Sequence, residues 1–223
     1  MKPVLHIEVG FDVICPWCLI GMRNLQAAIA RLRACAPEVA LHVHWRGVQL
    51  LPNVPAGGWP FMEFYRQRLG GDTAVRRRQA QVSEAAAAAG VQIDYQRIRN
   101  MPNTADAHRL LQHAARNGSA AQRDALLERL FTGYFQRGED VGDQAVLLTH
   151  GLACGMERAD IAPLMLGAAV PFQADGVGNG NGGVPYYVVN GKLVASGAQP
   201  PEVLLAAMLA ALDAVNTADA VAS

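Results

Sequence analysis

The residues of this sequence that could do covalent chemistry lie near its beginning, in the motif Cys15-Pro16-Trp17-Cys18. Two cysteines separated by two residues can exchange disulfides, because one thiolate attacks a disulfide and the second thiol resolves the mixed disulfide that forms. The same spacing can also supply half of a zinc site, which usually takes four ligands. The motif therefore indicates either redox chemistry or metal binding.

The position of Cys15 favours the redox interpretation. Apolar residues recur at helical spacing over residues 16–33, and Pro16 suits a first helical turn, where its missing N–H would be unpaired anyway. Cys15 then stands at a helix N-terminus, whose dipole and unpaired N–H groups favour a thiolate. We expect Cys15 to be the nucleophile and Cys18, one turn further in and less exposed, to resolve the mixed disulfide. Pro16 and Trp17 are expected to set the geometry between them.

The metal-binding interpretation lacks its other ligands. Cys35 and Cys154 are isolated, and the histidine spacing typical of a zinc site is missing. His108 and His113 share a predicted helix, but the sequence shows nothing that ties them to the CxxC motif. We therefore expect no metal site. Cys35 and Cys154 are interpreted as small buried apolar side chains, and they could form a second redox pair only if the fold brings them together.

A carboxylate stands three residues before the first cysteine. Asp12 is interpreted first as a surface or capping carboxylate, and the alternative is that it modulates the proton of the Cys15 thiol. Three histidines on presumed strands, His6, His42 and His44, are interpreted as packed or surface residues rather than catalytic bases.

The predicted elements follow the order strand, helix, strand, helical block, hairpin and helix. Strands are predicted over residues 4–9 and 39–45, on either side of the first helix. Asn190-Gly191 is a strong turn signal between strands at 184–189 and 192–196, and a glycine-rich loop is predicted at 176–183. The other helices are predicted at 60–69, 73–89, 105–116, 121–137, 143–150, 157–168 and 200–212, with a short strand considered at 91–93.

This order of elements is that of an α/β protein with a thioredoxin fold and a large α-helical insertion domain. The predicted thioredoxin-like domain is discontinuous, comprising residues 1–52 and 172–223. The insertion domain is predicted to span residues 53–171, beginning in the turn-rich segment 51–58.

Composition restricts the partners and the compartment. The chain has 223 residues, 51% hydrophobic, with 19 basic and 19 acidic side chains, so it lacks the basic excess that nucleic-acid binding requires. Its apolar runs are shorter than the ~18 residues of a membrane span. Glu8 and Asp12 interrupt the first apolar run, unlike a secretory signal. We expect a cytoplasmic protein without nucleic-acid or membrane partners, in which a close cysteine pair is more often catalytic than structural.

The sequence resembles the DsbA-like thiol:disulfide oxidoreductase family, and in particular its FrnE-like branch. The matching segments are in family order and extend over most of the chain. They are residues 12–21 (DVICPWCLIG), 103–110 (NTADAHRL), 130–140 (LFTGYFQRGED), 183–191 (GVPYYVVNG) and 196–201 (SGAQPP).

The resemblance implies that the Val184–Pro185 bond is cis and faces Cys15. It also implies that Val184 offers its backbone to a bound peptide or glutathione, so we expect Pro16, Trp17, Val184 and Pro185 to bind substrate. Two departures from the family concern the substrate. Arg46-Gly47-Val48 stands where the family often has Arg-Pro-Phe, and the glycine-rich segment replaces the end of a helix.

Three functions remain open at this stage. The leading hypothesis is disulfide exchange with protein or small-molecule thiols and disulfides, with no tightly bound cofactor and glutathione as a candidate redox partner. The alternative is a glutathione-dependent transferase or isomerase, like the related kappa-class glutathione transferases and hydroxychromene-carboxylate isomerases. Those relatives typically have serine where Cys15 stands and lack the second cysteine. A third is a binding module in which the thiols are incidental.

Overall fold

The structure is a computed structural model that describes residues 3–174 and 183–222. The predicted loop at 176–183 lies outside the described residues except for Gly183. The strands are β1 (Val4–Phe11), β2 (Ala40–Gly47), β3 (Trp59–Pro60), β4 (Asn100–Met101), β5 (Tyr186–Val189) and β6 (Lys192–Ser196). The α-helices are α1 (Pro16–Cys35), α2 (Phe61–Leu69), α3 (Asp72–Ala88), α4 (Ala105–Asn117), α5 (Ala120–Thr132), α6 (Gln144–Ala153), α7 (Arg158–Ile161) and α8 (Pro201–Ala222).

The chain divides into two compact units. The sheet unit comprises the described parts of residues 1–11, 17–46 and 178–223, and the helical unit those of residues 12–16 and 47–177. The domain boundaries expected from the sequence, after residues 52 and 171, stay predictions.

The sheet unit is built on four strands in the order β2-β1-β5-β6. Strand β1 pairs antiparallel with β5, so that Gly10 stands opposite Tyr186, and β5 pairs antiparallel with β6. The predicted hairpin is confirmed: Asn190 and Gly191 join β5 to β6 with φ angles of 49° and 80°. Both values lie in the left-handed region, which asparagine and glycine tolerate better than other residues.

The core of the sheet unit follows from the alternation in β1. Leu5, Ile7 and Val9 point to one face and are buried, because successive side chains of a strand lie on opposite faces. They belong to a single apolar cluster with residues of α1, β5 and α8. The other members of that cluster are Leu25, Ala28, Leu32, Tyr187, Val189, Leu204, Met208 and Leu212.

The helical unit contains α2 to α7 and the short strand pair β3–β4. The predicted helices at 60–69, 73–89, 105–116 and 143–150 correspond to α2, α3, α4 and α6 with small shifts of their ends. The helix predicted at 121–137 is α-helical only to Thr132 and continues as a π-helix over Gly133–Arg137. It ends at Gly138, whose φ of 69° stops a right-handed helix.

One helix predicted in this unit is too long, one short strand that was considered does not form, and two short strands were not predicted. The helix predicted at 157–168 is reduced to α7 and a 3-10 turn over Ala162–Leu164, because Pro163 cannot donate the hydrogen bond that would continue it. Residues 91–93 form no strand, whereas β3 and β4 pair over two residues each, too short to leave a pattern in the sequence.

Within the described chain, none of the helices combines the length and apolar character needed to cross a membrane.

Candidate active site

The CPWC motif lies at the start of α1, as the sequence predicts. Strand β1 ends at Phe11 and α1 begins at Pro16, so Cys15 immediately precedes the helix and Cys18 lies in its first turn. Cys15 is 8% exposed and Cys18 is 2% exposed. The two thiols are not bonded to each other. Pro16 and Trp17 between them are half-buried.

A tight turn connects β1 to the helix and presents Cys15. The backbone N–H of Cys15 donates to the carbonyl oxygen of Asp12 across 3.0 Å, which closes a four-residue turn. The N–H of Ile14 lies 3.5 Å from the Asp12 carboxylate oxygen Oδ1. Asp12 therefore shapes the turn through both its backbone and its side chain.

The side chain of Asp12 is fully buried, at 0% exposure. Its Oδ2 accepts the backbone N–H of Leu50 at 2.8 Å and the hydroxyl of Thr104 at 3.4 Å. Its Oδ1 lies 3.1 Å from Nε2 of His108, whose ring is also buried. The carboxylate thus joins the Cys15 turn to the chain after β2 and to the first turn of α4. The surface interpretation of Asp12 is wrong.

His108 is the residue of this site that sequence reasoning missed. The sequence interpretation found nothing to connect it with the CxxC motif, yet its ring contacts Asp12, three residues before Cys15. The ring stacks on Phe172 with centroids 5.0 Å apart, and a Cβ built on Gly47 would lie 2.5 Å from Nδ1. Glycine at position 47, where the family often has the proline of Arg-Pro-Phe, thus leaves room for the His108 ring. The available signal was that Asp12 and His108 both occur in segments matching the family.

His113, which shares the helix with His108, lies elsewhere. Its Nδ1 is 3.1 Å from the side-chain amide of Asn117, one turn further along α4. The described residues contain no group of three or more histidine, cysteine, aspartate or glutamate side chains placed to hold a metal ion.

A tyrosine of the helical unit responds to the charge of Cys15. Burial raises the pKa of Tyr65 to about 12, and the electrostatic effect of Cys15 adds to that shift, while Arg68 and Arg78 oppose it. The Tyr65 ring packs against Phe61 and Phe64 on α2, with centroids 4.8 and 5.1 Å apart. Tyr65 therefore remains a protonated phenol at neutral pH.

In the sheet unit, the Val184–Pro185 peptide bond is cis. The carbonyl of Pro185 accepts the N–H of Gly197 at 2.7 Å, which ties the start of β5 to the end of β6. Gly21 of α1 packs against this segment: a Cβ built there would overlap the Tyr187 hydroxyl and lie 3.0 Å from Cγ of Pro185. That Pro185 faces Cys15 stays a prediction.

The two remaining cysteines differ from each other. Cys35, at the end of α1, is exposed, so its assignment as a buried apolar side chain is wrong. Its thiol lies 3.4 Å from the carbonyl of Leu32. Cys154 is half-buried, and burial raises the pKa of its thiol. Neither forms a disulfide among the described residues.

Comparison with known proteins agrees with this architecture. The profile of the DSBA-like thioredoxin domain matches residues 6–209. A probable DsbA oxidoreductase from Streptomyces coelicolor superposes with a TM-score of 0.77 at 24% identity, over 93% of this chain and 89% of its own. The cytosolic disulfide reductase DsbM from Pseudomonas aeruginosa, whose structure was determined with GSH, superposes with a TM-score of 0.56 at 15% identity. The match covers 95% of this chain and 98% of DsbM.

A 2-hydroxychromene-2-carboxylate isomerase is similar over 98% of this chain and 99% of its own, with a TM-score of 0.57 at 12% identity. At these identities the likenesses establish the fold alone, and the search of curated proteins gave no match. The predicted α/β thioredoxin fold with its helical insertion is confirmed. Because the family profile extends over nearly the whole chain, the chain belongs to the DSBA-like thioredoxin domain family.

Proposed function

We propose that this protein is a thiol–disulfide oxidoreductase in which Cys15 attacks and Cys18 resolves. The observation that supports this most directly is the pair of unbonded thiols at the start of α1, in a chain of the DSBA-like thioredoxin family. Cys15 is the more exposed of the two and precedes the helix, where the unpaired N–H groups of the first turn favour a thiolate.

The proposed reduction proceeds in two exchanges. The Cys15 thiolate attacks one sulfur of a substrate disulfide, forming a mixed disulfide and releasing the other sulfur as a thiolate that takes up a proton. The Cys18 thiol then loses its proton and attacks the Cys15 sulfur, releasing the second substrate thiol. The substrate gains two electrons, and the protein is left with a Cys15–Cys18 disulfide. The reverse sequence oxidises a dithiol.

Four further residues are proposed to bind substrate. Pro16 and Trp17 are half-buried between the two cysteines and border any group attached to Cys15. Val184 and Pro185 lie just before β5, where the hydrogen bond from Gly197 to Pro185 holds the backbone in place. A backbone segment held in place in this way is suited to pair with the backbone of a bound peptide or of glutathione.

We further propose that the protein belongs to the FrnE-like branch, works in the cytoplasm and uses glutathione as its reducing partner. Support for the compartment and the reducing partner comes from DsbM, which is described as a cytosolic disulfide reductase and whose structure was determined with GSH. The branch rests on the sequence segments that match it. The expected substrates are protein or small-molecule disulfides, and no tightly bound cofactor is needed, because the two thiols carry both electrons.

The experiment that tests this function is a redox titration of the purified protein in glutathione buffers. The Cys15–Cys18 state is read by alkylation and peptide mass spectrometry at each ratio of reduced to oxidised glutathione. We expect a reversible intramolecular disulfide with a midpoint inside the cellular range. No Cys15–Cys18 bond at any ratio, or a stable glutathione adduct on Cys15, would contradict dithiol exchange and favour the glutathione transferase or isomerase alternative.

Cysteine variants assign the two roles. Cys15→Ser is expected to abolish disulfide exchange, whereas Cys18→Ser accumulates mixed disulfides because the resolving thiol is missing. Cys35→Ser is the matched control, since Cys35 lies at the other end of the same helix, and it should leave exchange unchanged. Full activity in Cys15→Ser refutes the mechanism. Glutathione turnover on chlorodinitrobenzene that survives Cys18→Ser supports the alternative, and client binding indifferent to both cysteines supports a binding module.

A further inference from the structure

The mechanism above uses neither Asp12 nor His108, although both are buried beside the turn that carries Cys15. The Asp12 side chain is 0% exposed and the His108 residue 1% exposed. Burying an ionisable pair is costly, and it is tolerated only when hydrogen bonds satisfy both groups. The Cys15 N–H donates to the backbone carbonyl of Asp12, so the carboxylate and the thiol belong to the same four-residue turn.

The hydrogen bonds of Asp12 indicate its charge state. Each carboxylate oxygen faces a backbone N–H, that of Ile14 on Oδ1 at 3.5 Å and that of Leu50 on Oδ2 at 2.8 Å. Backbone N–H groups can only donate, and this pattern favours the ionised carboxylate. Nε2 of His108, 3.1 Å from Oδ1, is then assigned as another donor.

Titratable and hydroxyl groups around this pair come from several elements. Cys15 lies on the same turn, and the hydroxyl of Thr104 contacts Oδ2 from the start of α4. Tyr134 of the π-helix feels the Asp12 charge: burial raises its pKa well above the ordinary value, with smaller contributions from Tyr65 and then Asp12. Both phenols stay protonated at neutral pH, whereas an ionised Asp12 places a negative charge beside the turn of Cys15 and opposes a thiolate there.

We propose that Asp12 and His108 are positioning residues that set the thiolate fraction of Cys15. The Asp12 carboxylate holds the turn and, as a like charge, disfavours the thiolate. The His108 N–H offsets part of that charge. This inference rests on the proposed function and specifies its direction, because a less stable thiolate makes the dithiol a stronger reductant.

The two residues therefore have opposite effects, which a purely structural role would not produce. Asp12→Asn keeps the shape of the side chain and removes the charge, so Cys15 should become a thiolate at lower pH. His108→Gln replaces the imidazole, which stacks on Phe172, by a flexible amide that holds Oδ1 less firmly. Less of the Asp12 charge is then offset, so the midpoint should move to higher pH. We expect removal of this buried unit charge to change the protonation equilibrium by about tenfold, which corresponds to a shift of about one pH unit.

The test is the pH profile of Cys15 alkylation, followed by peptide mass spectrometry, which separates Cys15 from the exposed Cys35. We expect a downward shift of about one pH unit for Asp12→Asn and an upward shift for His108→Gln. At a pH above the alkylation midpoint, the reduction potential of the Cys15–Cys18 pair should also change. It should rise in Asp12→Asn and fall in His108→Gln, by up to about 30 mV for each tenfold change in the protonation equilibrium of Cys15. His113→Gln, on the same helix and bonded to Asn117, is the matched control and should shift nothing.

Shifts in the same direction, or no shift in either variant, overturn the proposal. If His108→Gln fails to fold, Gly47→Ala replaces it, because the added Cβ would press on the His108 ring and should move the midpoint upward in the same way. The alkylation profile needs only Cys15. The profile therefore tests this inference even if the wild-type protein forms no Cys15–Cys18 disulfide. The absence of that disulfide would refute the proposed function and leave the inference about Asp12 and His108 to the alkylation profile.

Discussion

Replacing Gly21 with alanine tests how α1 is packed against the start of β5. Gly21 follows Cys18 by one helical turn and lies in the helix interior. A Cβ at this position would overlap the hydroxyl of Tyr187 and lie 3.0 Å from Cγ of Pro185. Tyr187 is 1% exposed, so its ring is enclosed and has little space to move aside.

The size of the effect is the difference between two opposing contributions. Alanine is better than glycine in a helix interior by about 1 kcal/mol. Overpacking a dense core costs about 1–3 kcal/mol, and the enclosed Tyr187 ring places this site in the upper half of that range. We expect Gly21→Ala to lower the free energy of unfolding by about 1–2 kcal/mol, although the substitution favours the helix itself.

A second substitution identifies the cause of that loss. Tyr187→Phe removes the hydroxyl that the new Cβ would overlap, and the remaining neighbour, Cγ of Pro185, needs to move only a few tenths of an ångström. In that background Gly21→Ala should be neutral or stabilising by up to about 1 kcal/mol, because the helix propensity then dominates. The coupling energy of the double-mutant cycle is therefore expected at about 1–3 kcal/mol.

Urea unfolding of the four proteins at 25 °C, in reducing buffer, measures this cycle. The steric explanation is refuted if Gly21→Ala costs the same with tyrosine and with phenylalanine at position 187. It is also refuted if Gly21→Ala is stabilising on its own. Under the proposed function, Gly21→Ala should also slow disulfide exchange, because it displaces Pro185, and Tyr187→Phe should restore part of the rate.

Two further predictions concern stability. Gly10→Ala should lower the free energy of unfolding by about 1–3 kcal/mol, since its Cβ would overlap the buried Tyr186 ring across the β1–β5 pair. In a Tyr186→Ala background this loss should largely vanish. Equal losses in the two backgrounds, measured by urea unfolding, contradict the steric explanation. Burial lowers the pKa of His150 from 6.5, and Arg137 lowers that of Glu139 from 4.5. As the pH falls past each ordinary pKa, the unfolded chain binds more protons than the folded protein. The free energy of unfolding should therefore decrease below about pH 6.5 and decrease further below about pH 4.5. In urea titrations His150→Asn should flatten the decrease that begins near pH 6.5, and an unchanged pH profile in that variant refutes the assignment to His150.

Much of the site's framework could be predicted because it depends on neighbours along the chain. The first helix begins at Pro16 as expected, since a proline at that position and apolar residues at helical spacing are local properties. The Asn190-Gly191 turn was predictable for the same reason, because the left-handed conformation of both residues is encoded in their own chemistry.

Predictions failed where a segment was short or where the packing around it determined its structure or its exposure. Strands β3 and β4 have two residues each and show no periodicity, and the helix predicted at 157–168 is interrupted around Pro163. Cys35 has the residue type of a buried side chain, yet its position at the end of α1 leaves it exposed. Apolar character predicts a tendency to be buried, whereas actual burial depends on what packs over the position.

The sequence by itself determined which two thiols have the spacing for disulfide exchange, that Cys15 precedes a helix, and the order of strands and helices that makes this an α/β chain. Only the tertiary structure decided that His108, 96 residues further on, contacts the carboxylate of Asp12, and that Gly21 lies against Pro185 and Tyr187. The physical reason is that helix starts and turns depend on interactions among a few consecutive residues. A buried pair between distant residues forms only when whole elements pack together, and the packing also excludes the water that would otherwise solvate both groups.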